Sequence, residues 1–133
     1  MPGTKASAAV KAAEKAAFRL KVAAALERAH AAAEAAYDVF ARSARRNESG
    51  LIVDTFGWAD VIMYTPSRRL QDALKALGET QRTQSGMWYV SRFPREADTQ
   101  SITAYEVACR AACEVLAREL AGEGEFHVRT HID

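Results

Sequence analysis

Glycine and proline are missing from the whole stretch between Lys5 and Arg46, so nothing in its covalent structure interrupts a helix there. Other absences exclude whole classes. No apolar run reaches the roughly 18 residues that a membrane-spanning helix requires. The opening residues mix alanine with lysine and lack the apolar stretch of a secretory leader. Two cysteines, Cys109 and Cys113, are too few to staple a fold, and their helical surroundings suit a reducing compartment. A cytoplasmic protein without a membrane segment is therefore expected. No glycine-rich strand-to-helix turn occurs, so phosphate-loop and dinucleotide fingerprints are absent.

What is present is alanine: 18 of the 39 residues from Ala6 to Ala44. Alanine loses the least side-chain entropy in a helix, and the spacing predicts one long helix over residues 1–46. Phe18, Val22, Leu26, Ala29, Ala33, Tyr37 and Phe40 recur every three or four residues and mark its buried stripe. Before Phe18 the larger apolar residues are Met1 and Val10 alone. The first 15 or so residues are thus expected to overhang, either frayed and solvated or packed through alanines against another chain.

Residues 51–133 complete a single domain, an α+β body with the order β-β-α-β-β-α-β. Leu51–Thr55 and Ala59–Tyr64 read as a strand pair turned at Gly57. A helix follows, capped by Thr65 and Pro66 and stopped by Gly78. Residues 80–84 and 87–93 read as an edge strand and its neighbour, turned at Ser85-Gly86. The third helix spans residues 102–121, with Thr103 and Glu106 as its capping box. Alternation of Phe126, Val128, Thr130 and Ile132 against His127, Arg129 and His131 gives the last strand. The expected sheet is mostly antiparallel, has about five strands and carries helices on one face.

Two constellations bear on chemistry. Cys109, Cys113, His127 and His131 have the loose spacing of a zinc finger. Their context is inverted, because the cysteines sit on a helix and the histidines on a strand, where residues four apart are about 13 Å from each other. No metal and no cofactor is expected. No base is fixed near either thiol, and His30 lies among alanines as a solvated side chain, so no catalytic residue is assigned and an enzyme is not the favoured reading.

The second constellation is Arg82, Trp88, Arg92 and Arg95, with Arg68 and Arg69 on the preceding helix. If Met87, Tyr89 and Phe93 face the core, Trp88 and Arg92 are displayed together, a surface able to stack and neutralise nucleic acid. Charge is uneven: residues 1–46 carry five net positive charges and residues 96–133 five net negative ones, although the whole chain is only +1. Such polarity serves nucleic acid, an acidic partner or a second copy of the chain equally well. The expectation is a small non-enzymatic protein-binding or assembly module, a homodimer through the alanine-rich helix or an exposed sheet edge. The alternative is a nucleic-acid-binding module built on the Arg/Trp surface.

Overall fold

The computed structural model describes residues 4–79, 81–82, 86–95 and 99–133. It opens with α1, Thr4–Ser43, which at 1.5 Å per residue is about 60 Å long. Phe18, Val22, Leu26, Ala29 and Ala33 are buried, and Tyr37 packs against them, so the expected stripe is the inward face. Residues 7–17 are all exposed. The helix stops three residues before Arg46, and the chain then doubles back. Arg46 bridges antiparallel to Ile52, while Val53 N donates to Arg45 O and Asn47 N to Leu51 O, both at 2.8 Å. The Asn47 side chain accepts from Ser49 N and Leu51 N, and Gly50 takes a positive φ of 79°.

This small hairpin corrects the expected first strand. Leu51–Thr55 pairs with the segment just left by α1, a closure over a few residues, and not with the sheet. The elements after α1 are β1 (Gly57–Tyr64), α2 (Arg68–Leu77), β2 (Gln81–Arg82), β3 (Trp88–Tyr89), α3 (Ile102–Glu119) and β4 (Glu125–Ile132). The sheet has the order β2-β3-β1-β4, with every pair antiparallel. It is the split β-α-β connectivity, four-stranded where five strands were expected. Of the expected edge strand and its turn, Thr80 and residues 83–85 lie outside the described residues.

Helix α3 lies on β1 and β4, and α1 packs along α3 and reaches α2. Ala59, Val61 and Met63 of β1 face this helical layer as part of the core. Alanines supply much of the contact: Ala25, Ala29 and Ala33 of α1 and Ala104, Ala108 and Ala112 of α3 are completely buried. Small side chains let helix axes approach closely, so the alanine that invited a second chain is used from residue 25 onward inside this one. Gly57, expected in a turn, is instead the first residue of β1. A Cβ there would run into the His131 carbonyl oxygen and crowd the Ile102 side chain, which is the close backbone approach that favours glycine in a strand.

Both shorter helices are capped two residues away from the Thr65 and Thr103 caps expected. The α2 cap is Ser67, whose side chain accepts from Leu70 N, and Gly78 closes the helix at φ 68°. Thr65 belongs to the preceding turn at φ 48°. The α3 cap is Ser101, accepting from Ala104 N. Asp54 stands behind it, its Oδ2 accepting from Ser101 Oγ at 2.6 Å and from Thr103 N at 2.8 Å. Burial alone would raise the Asp54 pKa, but the hydrogen bonds from Ser101, Thr103 and Thr55 prevail and hold it at about 2.

Candidate functional site on the open face and edge of the sheet

Of the arginines and tryptophan singled out in the sequence, Trp88 does not share a surface with the described arginines. Trp88 is 5% exposed and belongs to the core. It pairs with Met63 and shares that residue's helix-facing side, whereas Tyr89 pairs with Ile62 and takes the other side. Alternation along β3 was legible, but its parity is inherited from β1, whose Met63 side is where the helices pack. Lys75 Nζ sits 5.5 Å from the Trp88 ring centroid. Arg69 Nε donates to the Glu123 carboxylate at 2.6 Å, its guanidinium lies over the Phe18 ring, and this contact first of all lowers the Glu123 pKa. Arg95 pairs with Glu27 at 2.7 Å and lowers the Glu27 pKa by the same contact. Arg68 and Arg92 are exposed, and the Arg82 side chain lies outside the described residues.

The face of the sheet turned away from α3 holds a cluster that the sequence reading missed. Trp58, Asp60, Ile62 and Tyr64 of β1 stand opposite His131, Arg129, His127 and Glu125 of β4. Asp60 is 2% exposed although, among the described residues, the helices pack on the other side. Its Oδ2 accepts from Arg129 Nη2 at 3.1 Å and lies 3.0 Å from His131 Nε2. Arg129 Nε also donates to His131 Nε2, at 3.0 Å. That one nitrogen accepts from Arg129 when the ring proton is on Nδ1 and donates to Asp60 when a proton is on Nε2. Trp58 stacks on the His131 ring, with centroids 4.8 Å apart. Asp60 Oδ1 is buried without a hydrogen-bond partner. The Tyr89 hydroxyl has its pKa raised by burial first and by the Asp60 charge second. A charged residue inside the run Ala59–Met63 was the available signal, and only pairing with β4 shows what answers it.

The cluster ties β4 to β1 across a ladder that runs the full length of both strands. With Asp60 covered, what it offers to the surroundings is the Trp58 ring, 44% exposed, and the outer parts of Arg129 and His131. Beyond it runs the outer edge of β4, last in the strand order and unpaired among the described residues. Asp133 N donates to Phe56 O, and bonded and non-bonded pairs alternate along an antiparallel ladder. Residues 125, 127, 129 and 131 therefore turn their backbone groups toward β1. Phe126, Val128, Thr130 and Ile132 turn theirs outward. Val90 N donating to Val61 O and Gly57 N to Gln100 O agree, since these odd residues of β1 point their backbone groups away from β4.

The two cysteines and the two strand histidines lie on opposite sides of the sheet. Cys109 is buried, its thiol donates to Phe93 O at 3.4 Å, and burial pushes its pKa up to about 12. Cys113 is partly buried against the same core, while His127 and His131 belong to the open face. His30, expected in solvent, is 3% exposed on the inward side of α1. Among the described residues no group of three or more His, Cys, Asp or Glu side chains is placed to hold a metal ion. No helix among them is long and apolar enough to cross a membrane. Comparison with family models, with curated proteins and with solved structures yields no match.

Proposed function

We propose that this chain is a small non-enzymatic assembly module whose partner is a second copy of itself, joined along the edge of β4. The observation that carries the reading is an eight-residue edge strand, about 27 Å long at 3.4 Å per residue. It is unbulged over its pairing with β1 and carries outward backbone groups at four residues. Natural sheets shorten, bulge, cover or charge such an edge, because it templates pairing with another chain.

Two-fold pairing of antiparallel edges joins the two sheets into one and leaves both helical layers on the same side. A register centred on Val128 sets Glu125 opposite His131 of the partner subunit and keeps the two copies of Arg129 from facing each other. The nucleic-acid reading loses the aromatic ring it relied on, since Trp88 is enclosed in the core.

Light scattering coupled to size exclusion tests the proposal on the full chain and on Thr130→Pro. Proline removes an outward N–H without touching the ladder to β1, and edge strands tolerate it. A dimer for the full chain and a folded monomer for the variant are expected. A monomer at every accessible concentration overturns the reading, as does an unweakened Thr130→Pro dimer. A dimer lost only when residues 1–17 are removed transfers the interface to the overhang of α1.

A further inference from the structure

We propose that His30 is an acid-sensitive latch, holding α1 on the body of the protein while its ring is neutral and releasing it when the ring takes up a second proton. The hydrogen-bond pattern around the ring decides where that proton goes. Ser91 Oγ donates its hydrogen to Glu79 Oε2 at 2.8 Å. The serine oxygen is left only as an acceptor for His30 Nε2, 3.4 Å away. Nε2 therefore carries the ring proton, and Nδ1 is a bare lone pair. Nδ1 is buried and has no partner, which is tolerable for a lone pair in an apolar place. A proton arriving from solution has only Nδ1 to occupy. There it becomes a charged donor with no acceptor, beside the Phe93 ring whose centroid is 4.6 Å from that of the imidazole. An unpaired charged donor is costly to bury, and opening of α1 lets the ring take its second proton in water, so protonation shifts the equilibrium toward the open helix.

The charges acting on the ring come from three elements. Glu27 and Glu34 lie on α1 itself, Glu79 follows α2, and Arg95 follows β3. Glu27 is already answered by Arg95 and Glu79 by Ser91. Burial is the largest influence and lowers the His30 pKa below its ordinary 6.5; the Arg95 charge lowers it further, and the three glutamates only partly oppose this. The sign follows by linkage. The neutral ring fits the folded state, so the latch is fully closed above pH 6.5. Its hold weakens as pH falls below 6.5 toward the lower folded value, and uptake of one proton makes opening about tenfold easier per pH unit.

Hydrogen exchange of the full chain, corrected for intrinsic rates, reads the effect directly. Protection of residues 22–36 is expected to fall by up to about tenfold for each pH unit below 6.5, the limit for uptake of one proton. His30→Gln keeps a donor for Ser91 but cannot titrate, and it should abolish this dependence, whereas His127→Gln should retain it. Unchanged α1 protection between pH 7.0 and pH 5.0 in the natural chain overturns the proposal, and so does an equal loss in His30→Gln. If that variant fails to fold, nuclear magnetic resonance of the natural chain decides. A His30 midpoint below 6.5, shared by α1 amide shifts, supports the latch, and a midpoint at or above 6.5 rejects it.

Discussion

Replacing Trp88 by alanine separates a core residue from a stacking platform, because the two roles make opposite claims on stability. The side chain is 5% exposed and shares the helix-facing side of the sheet with Met63. An aromatic side chain of this kind buries on the order of 200 Å², which at about 25 cal/mol per Å² corresponds to roughly 5 kcal/mol. Alanine recovers part of that, and the cavity collapses only in part, so a net loss of about 3–5 kcal/mol is expected. Against a total of about 5–15 kcal/mol for a natural domain, this is a large fraction. Loss of the Lys75 contact over the ring adds a few tenths to about 1 kcal/mol at most. Urea melts followed by far-ultraviolet circular dichroism measure the difference, and Trp58 remains as a separate fluorescence reporter. Trp88→Phe should cost much less than Trp88→Ala, because it refills most of the space. A Trp88→Ala variant within about 1 kcal/mol of the natural chain would refute the placement of this ring in the core.

Two further outcomes follow from titrating groups. Asp54, held at about 2 against an ordinary 3.8, contributes stability that is present above pH 3.8 and lost as pH falls toward 2. Asp54→Asn should cost about 1 kcal/mol at neutral pH, the usual scale of a helix cap, and should flatten the melting-temperature profile between pH 4 and pH 2. An unchanged acid slope in that variant would remove Asp54 from the account of the α3 cap. Cys109, pushed up by burial to about 12 from 9.0, has roughly a thousandfold less thiolate than an ordinary thiol at pH 8. In the folded chain it should react with a disulfide reagent at least that much more slowly than in denaturant, as mass mapping of the two cysteines will show; comparable rates would contradict its burial.

The sequence by itself determined what local chemistry can determine. An alanine-rich stretch without glycine or proline has one low-energy conformation, and the apolar spacing from Phe18 to Tyr37 fixed which side of α1 is inward. Gly78 stopped α2 because its left-handed φ is free of steric cost. The alternation expected in β4 holds for Phe126 and Val128, which pack on the core, whereas Thr130 and Ile132 are exposed. Tertiary structure decided everything that depends on a partner far along the chain. Leu51–Thr55 has strand chemistry, yet the chain beside it after α1 was a nearer partner than the sheet. Trp88 and Tyr89 alternate in any case, but only pairing with Met63 and Ile62 says which of them meets the helices. Asp60 looked misplaced among apolar residues until Arg129 and His131, some 70 residues later, came to lie against it. His30 looked solvated among alanines until the chain around Ser91 and Phe93 closed over it. For Trp88, Asp60 and His30 the side chain's own preference was weak, and contacts made at long sequence separation supplied the larger energy.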